Sequence, residues 1–188
     1  MPAAARDLTD VVRDIGRRDL DRPTPCTDYT VRGLLNHLLY WGPSLLTAVR
    51  KEDPPPRAAS EETAALVTGD WQRRLCDLVA DLADALSDKK AWQGTTTMGG
   101  GELPGSMIGG MVLVEFVVHG WDLATALGSQ RPWSPEAAVG AEDVLRGMAE
   151  QGRQMNVFGP AVAVPASAPA LDRALALSGR DPAWQPLG

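Results

Sequence analysis

Apolar residues recur along this chain at the spacing of helix turns. Leu8, Val11, Val12 and Ile15 fall on one face at a period of 3.6 and predict a first helix over residues 7–20. The stretch DRPTPCTDYT that follows is dense in Pro, Thr and Asp and reads as a loop. Thr30 is placed to cap a second helix over 31–51, whose inward positions are Val31, Leu34, Leu35, Leu38, Leu39 and Leu45. A bend is expected at Gly42-Pro43. The Pro-rich run EDPPPRAAS ends that helix. Ser60, with Glu61 and Glu62 behind it, reads as the start of a third helix reaching about Ser87, with Leu66, Leu75, Leu78, Val79, Leu82 and Leu86 inward.

Residues 92–105, WQGTTTMGGGELPG, change character and fit either a short hairpin or a long loop, with the triplet Gly99-Gly100-Gly101 as its turn. The triplet lacks the Lys and Ser/Thr of a phosphate loop. A fourth helix over 106–127 is apolar almost all round, which argues for a central position, and Gly128 stops it. Pro135 opens a fifth over 135–152, with Ala138, Val139, Val144, Leu145 and Met148 as its stripe; a short last helix spans 169–178. The pattern predicts an all-α bundle of four main helices with extra short helices and at most a small hairpin. The length of 188 residues suits a single domain, 1–188, with 153–188 a C-terminal extension packed on it.

Composition narrows the function. A net charge of −6 and no basic stripe argue against nucleic acid. The N-terminus lacks the basic start and apolar run of a signal peptide. The most apolar stretch, Met107 to Val118, is short for a bilayer and is interrupted by Glu115, so no membrane partner and a cytoplasmic location are expected. Cys26 and Cys76 have no CxxC spacing; each reads as a small buried hydrophobe, with a reactive thiol at Cys26 the lesser alternative.

The chain has two histidines, and both lie inside apolar helices. His37 sits among Leu34, Leu35, Leu38 and Leu39. His119 follows Phe116, Val117 and Val118, and Glu115 is four residues before it, so the two share one helix face. A carboxylate inside VLVEFVVH costs several kcal/mol to bury unpaired, by a rough estimate. A divalent cation held by His37, Glu115 and His119 would compensate it. Two imidazoles and a carboxylate suit zinc, and nickel, manganese or iron accept the same donors. The pattern equally describes a Glu115–His119 hydrogen-bonded pair with His37 a separate core histidine. It is not the H-E-x-x-H motif. Asp122, three residues after His119, is placed to orient that ring or to make a polar contact between helices. Trp41 and Trp121 each line a pocket or pack in the core. A homodimer is compatible with the many apolar helix faces.

Three segments resemble a known family. PTPCTDYTVRGLLNHLL resembles the opening of the metal-binding helix in the mycothiol-dependent maleylpyruvate isomerase family, part of the DinB-like superfamily. VEFVVHGWDLATALG resembles its second metal helix, and FGPAVAVPASAPALDRALALSGRDPAW the ending of an actinobacterial subfamily described as metal-binding. Tyr29 stands where the loop usually carries Trp. The resemblance implies a DinB-like bundle with a divalent metal on His37, Glu115 and His119. It also implies a low-molecular-weight thiol such as mycothiol as cosubstrate, used with an electrophile in thiol transfer or thiol-assisted isomerisation, hydrolysis being a variant. A non-enzymatic metal-binding module, for small-ligand sensing or for stability, is the alternative.

Overall fold

The computed structural model describes residues 1–54, 56 and 60–186. Part of the Pro-rich run EDPPPRAAS therefore lies outside the described residues. Helix α1 spans Pro2–Asp14, α2 Val31–Arg50, α3 Trp71–Ala85, α4 Gly105–Ala126, α5 Pro135–Gln154 and α6 Ala170–Leu177. Strands β1 (Thr95–Met98) and β2 (Gly101–Pro104) pair antiparallel, Thr95 opposite Pro104 and Met98 opposite Gly101. The protein is thus mostly helical with one two-stranded hairpin among the described residues.

Several boundaries differ from the sequence expectation. The first helix begins at Pro2, before residue 7, because Pro fits the first turn and Ala3–Ala5 favour helix while offering no long side chain to the periodic pattern. It ends at Asp14; Ile15 and Gly16 are extended, and Arg17–Asp19 form a separate 3₁₀ turn. The third helix begins at Trp71 and not at Ser60. Residues 61–70 run as turns and bends up to Gly69, which sits at φ +61. Their polar backbone is satisfied from outside: Leu66 N–H donates to Asn36 Oδ1 (2.9 Å), and Arg74 donates to the Leu66 and Thr68 carbonyls. Val139 of the fifth helix's expected stripe is exposed (49%), while Ala138 and Leu145 are buried.

Other local signals hold. Thr30 Oγ1 accepts from Gly33 N–H at 3.3 Å, and α2 runs unbroken through Pro43. The 92–105 segment is a hairpin whose turn residues Gly99 and Gly100 both have positive φ (62° and 81°), as the twist-matched two-residue turn requires. The hairpin lies on α2, with Thr96 Oγ1 donating to the Ala48 carbonyl (2.7 Å). Gly128 (φ +71) closes α4, and Ser129 N–H returns to the Ala124 carbonyl at 2.9 Å.

α4 is the axis of the molecule. α2 packs against it, α1 against its second half and α5 against its first; α3 closes the ring by packing on α1 and α2. Leu8, Leu34, Leu35, Leu75, Ile108 and Leu123 fill the space between them and are fully buried. Among the described residues α4 is the one helix long and apolar enough to cross a bilayer, being longer than the Met107–Val118 stretch. Yet 78% of its most apolar window is buried inside the protein, which makes it a core helix. The tail returns to the bundle: α6 packs on α5, Arg173 pairs with the buried Glu142 (2.6 Å), and Arg153 donates to the Leu177 carbonyl (3.0 Å).

The approach of the 3₁₀ turn Lys89–Trp92 to α4 depends on a missing side chain. A Cβ at Gly109 would lie 2.6 Å from the Trp92 ring, which is itself fixed by its N–H on the Leu86 carbonyl (2.9 Å). Gly109→Ala should therefore destabilise the fold by about 1–3 kcal/mol, read from urea unfolding.

Candidate metal centre

The three donors singled out in the sequence come from two helices. His37 projects from the middle of α2. Glu115 and His119 bracket a one-turn π segment, Glu115–His119, in the middle of α4. Such single-turn widenings insert one extra residue into a helix and cluster at functional sites. Here the turn carries Glu115 and His119 with the buried Phe116, Val117 and Val118 between them.

Their inner atoms converge. Glu115 Oε2 lies 3.4 Å from His37 Nε2 and 3.5 Å from His119 Nε2. One ligand atom from each residue lies within 4.8 Å of the others. The two rings meet edge to face at 71°, with centroids 5.2 Å apart. Only 12% of the His119 side chain and 18% of His37 is exposed, and Glu115, at 25%, is the most exposed of the three.

Each imidazole is held from behind by a carboxylate. His119 Nδ1 meets Asp122 Oδ2 at 3.1 Å, and His37 Nδ1 meets Glu61 at 3.2 Å. A carboxylate only accepts, so both bonds place the ring proton on Nδ1. Each Nε2 then turns its lone pair toward Glu115, which also only accepts. Three acceptors facing one another with no donor between them are repulsive unless a cation, or protons in its place, lies among them. The donor chemistry and the two outer carboxylates together fit a divalent ion.

The outer layer extends further. Asp122 is fully buried and also accepts from Arg180 of the tail, Nη2 to Oδ2 at 3.1 Å and Nε to Oδ1 at 3.4 Å. Glu61 accepts from Trp41 Nε1 at 2.7 Å and from the Tyr29 hydroxyl, which also lies 3.2 Å from His37 Nδ1. Trp41 thus tethers a carboxylate, a role beyond lining or packing. Trp121 packs half-buried against the core. An open cavity of about 620 Å³ borders Tyr29, Asn36 and Glu61. A narrow apolar cleft of about 10 Å³, between Leu38, Trp41 and Leu78, reaches Glu115.

Neither cysteine is fully buried, and both are free. Burial pushes the Cys26 thiol up despite the nearby Arg180, which disfavours a reactive thiolate.

The structure brings together Glu115, His119 and Asp122, which helix spacing relates, and His37, which the cost of burying Glu115 unpaired pointed to. Glu61 and Arg180 were not foreseen. Glu61 was read as the acid of a helix start, and its contact with His37 crosses 24 residues. Arg180 is 58 residues from Asp122. A signal for it existed, since a buried Asp122 needs a cationic or hydrogen-bonding partner, but no spacing pointed to position 180.

Fold and site define a helical protein with a His-Glu-His cluster between two core helices. The model of the mycothiol maleylpyruvate isomerase N-terminal domain family matches residues 1–124, and the chain belongs to that DinB-like family. Similar chains include two uncharacterized Mycobacterium tuberculosis proteins, one from each of two strains. Each is 26% identical over 125 residues, covering 64% of this chain and 61% of the relative. The match thus spans under two thirds of those relatives' length. No solved structure gives a significant match.

Electrostatics of the cluster set its response to pH. Burial alone would lift Glu115; the imidazoles of His119 and His37, with Arg180 behind, hold it down at about 2. Burial alone would lower His37; the Glu115 and Glu61 carboxylates outweigh it, and the net shift from 6.5 is upward. A cation needs neutral His37, so acidification should begin to weaken zinc binding already above pH 6.5. Dissociation constants measured from about pH 8 to about pH 5 check this; an onset well below 6.5 would show that the carboxylates do not hold His37 up. Asp122→Asn, which keeps the shape but not the charge, should weaken zinc roughly 10–100-fold in a competition titration.

Proposed function

We propose that this protein is a DinB-like bundle of four main helices, α1–α4, that holds one divalent cation, zinc by preference, on His37, Glu115 and His119. In this reading it is an enzyme that uses a low-molecular-weight thiol such as mycothiol to transfer to, or to assist isomerisation of, an electrophilic small molecule. Membership in the isomerase's N-terminal domain family supports the substrate class. The observation that carries the cation is the inward-facing trio of Nε2, Oε2 and Nε2 with both Nδ1 atoms turned outward onto carboxylates.

When bound, the cation supplies Lewis acidity, lowering the pKa of a thiol or water brought to it. The chain's own residues do the rest. His37, Glu115 and His119 would hold the ion, and three protein ligands would leave it a position for a thiol or water. Asp122 and Glu61 hold the two rings in the ligand tautomer, and Arg180 keeps the Asp122 carboxylate aimed. Phe116, Val117 and Val118 exclude water from the inner side of the cluster.

The narrowness of the apolar cleft at Glu115 favours a second reading, a non-enzymatic module in which the cation serves sensing or stability. Turnover separates the two.

Elemental analysis of untagged protein should find about one equivalent of transition metal. The double variant His37→Ala/His119→Ala should hold none, and Glu115→Gln should keep the fold while binding more weakly. Metal-loaded protein is then assayed with mycothiol and electrophiles: thiol-dependent turnover supports the enzyme, and thiol binding without turnover supports the module. Absence of metal from wild type after incubation with zinc overturns both.

A further inference from the structure

We infer that Glu61 is the positioning residue for His37, and that Asn36 delivers it, so that the segment 60–68 is part of the cation site. The inference rests on the proposed ligand set but stands on its own contacts.

Two consecutive residues of α2 grip this segment. Asn36 Nδ2 donates to the Glu61 carbonyl (3.1 Å), and Asn36 Oδ1 accepts from Leu66 N–H (2.9 Å). The amide thus holds the backbone at both ends of a short loop. The next residue, His37, meets the side chain so presented, with both Glu61 oxygens 3.2 Å from Nδ1. Ala64 and Val67, each 9% exposed, seat the same loop on the core.

Glu61 is over-determined as an acceptor. The Trp41 N–H can only donate, and it fixes one carboxylate oxygen at 2.7 Å; the Tyr29 hydroxyl donates as well. Toward Glu61, Nδ1 can act only as a donor, and with the Tyr29 hydroxyl drawn to the same carboxylate this favours the tautomer that keeps Nε2 free as a ligand. The same arrangement recurs at His119 with Asp122. Asp122 lies on the helix of its histidine, whereas Glu61 comes from a connection between helices. Reciprocity follows: whatever the Glu61 contact adds to cation binding, cation binding adds to the hold on residues 60–68.

The test uses the full chain with histidine labelled in ¹⁵N, in the variants Glu61→Ala, Glu61→Gln and Asn36→Ala. Wild type should show His37 as the Nδ1–H tautomer. Glu61→Ala should lose that preference and bind zinc about 10–100-fold more weakly, with Glu61→Gln intermediate. Asn36→Ala should weaken zinc in the same direction, and combining it with Glu61→Ala should add nothing further, since both act through one carboxylate. Zinc should also slow amide exchange over 61–68 in wild type and not in Glu61→Ala. A folded Glu61→Ala protein with wild-type tautomer and wild-type zinc affinity overturns the inference. Should wild type bind no zinc while the tautomer still changes in Glu61→Ala and Glu61→Gln, the cation reading fails and the positioning role stands.

Discussion

The architecture turns on one carboxylate, that of Glu115, set in the middle of the most buried helix. Left alone among Phe116, Val117 and Val118 it would be costly to dehydrate. Two imidazoles, one from its own helix and one from α2, meet it at 3.4–3.5 Å. This meeting limits how α2 and α4 can pack. A slide of one helix turn, about 5.4 Å, would separate His37 from Glu115 and leave the charge without a partner. The core leucines supply most of the apolar burial, but many arrangements could bury them equally well. The polar cluster selects one.

Around that cluster the chain contributes from well-separated places. α2 gives His37 and Trp41, the 61–70 connection gives Glu61, α4 gives Glu115, His119 and Asp122, and the tail gives Arg180. The family match ends at residue 124, yet Arg180 lies beyond it and completes the buried pair with Asp122. A buried ion pair adds little net stability on its own. Its use here is geometric: Arg180 fixes the carboxylate that fixes the His119 ring.

What the sequence made legible follows the range of the forces involved. Helix faces were readable where large aliphatic residues repeat, as in Leu34, Leu35 and Leu38. They were not readable where Ala4 and Ala5 do the packing, since alanine carries no periodic signal of its own. Glu115, His119 and Asp122 could be grouped because helix spacing relates them within one turn or two. His37 could be joined to them by the cost of leaving Glu115 unpaired. Glu61 could not, because Ser60-Glu61-Glu62 is locally a sound helix start. Asn36 and Arg74 instead satisfy that backbone from outside, and Gly69 at positive φ postpones the helix to Trp71. Arg180 was invisible for a similar reason, its partner being chosen by folding and not by spacing.

The π segment gives α4 a phase. The wide turn absorbs one residue beyond regular helical count between Glu115 and His119, so the helix leaves it in the phase in which it entered. The same residues wound regularly throughout would turn the later face by about 100°, carrying Asp122 away from Arg180 and His119 away from α2. The wide turn therefore keeps both halves of α4 in register with their partners. Over evolutionary time this is the place along the helix where the loss of one residue is expected to cost least, because regular winding then restores the same phase.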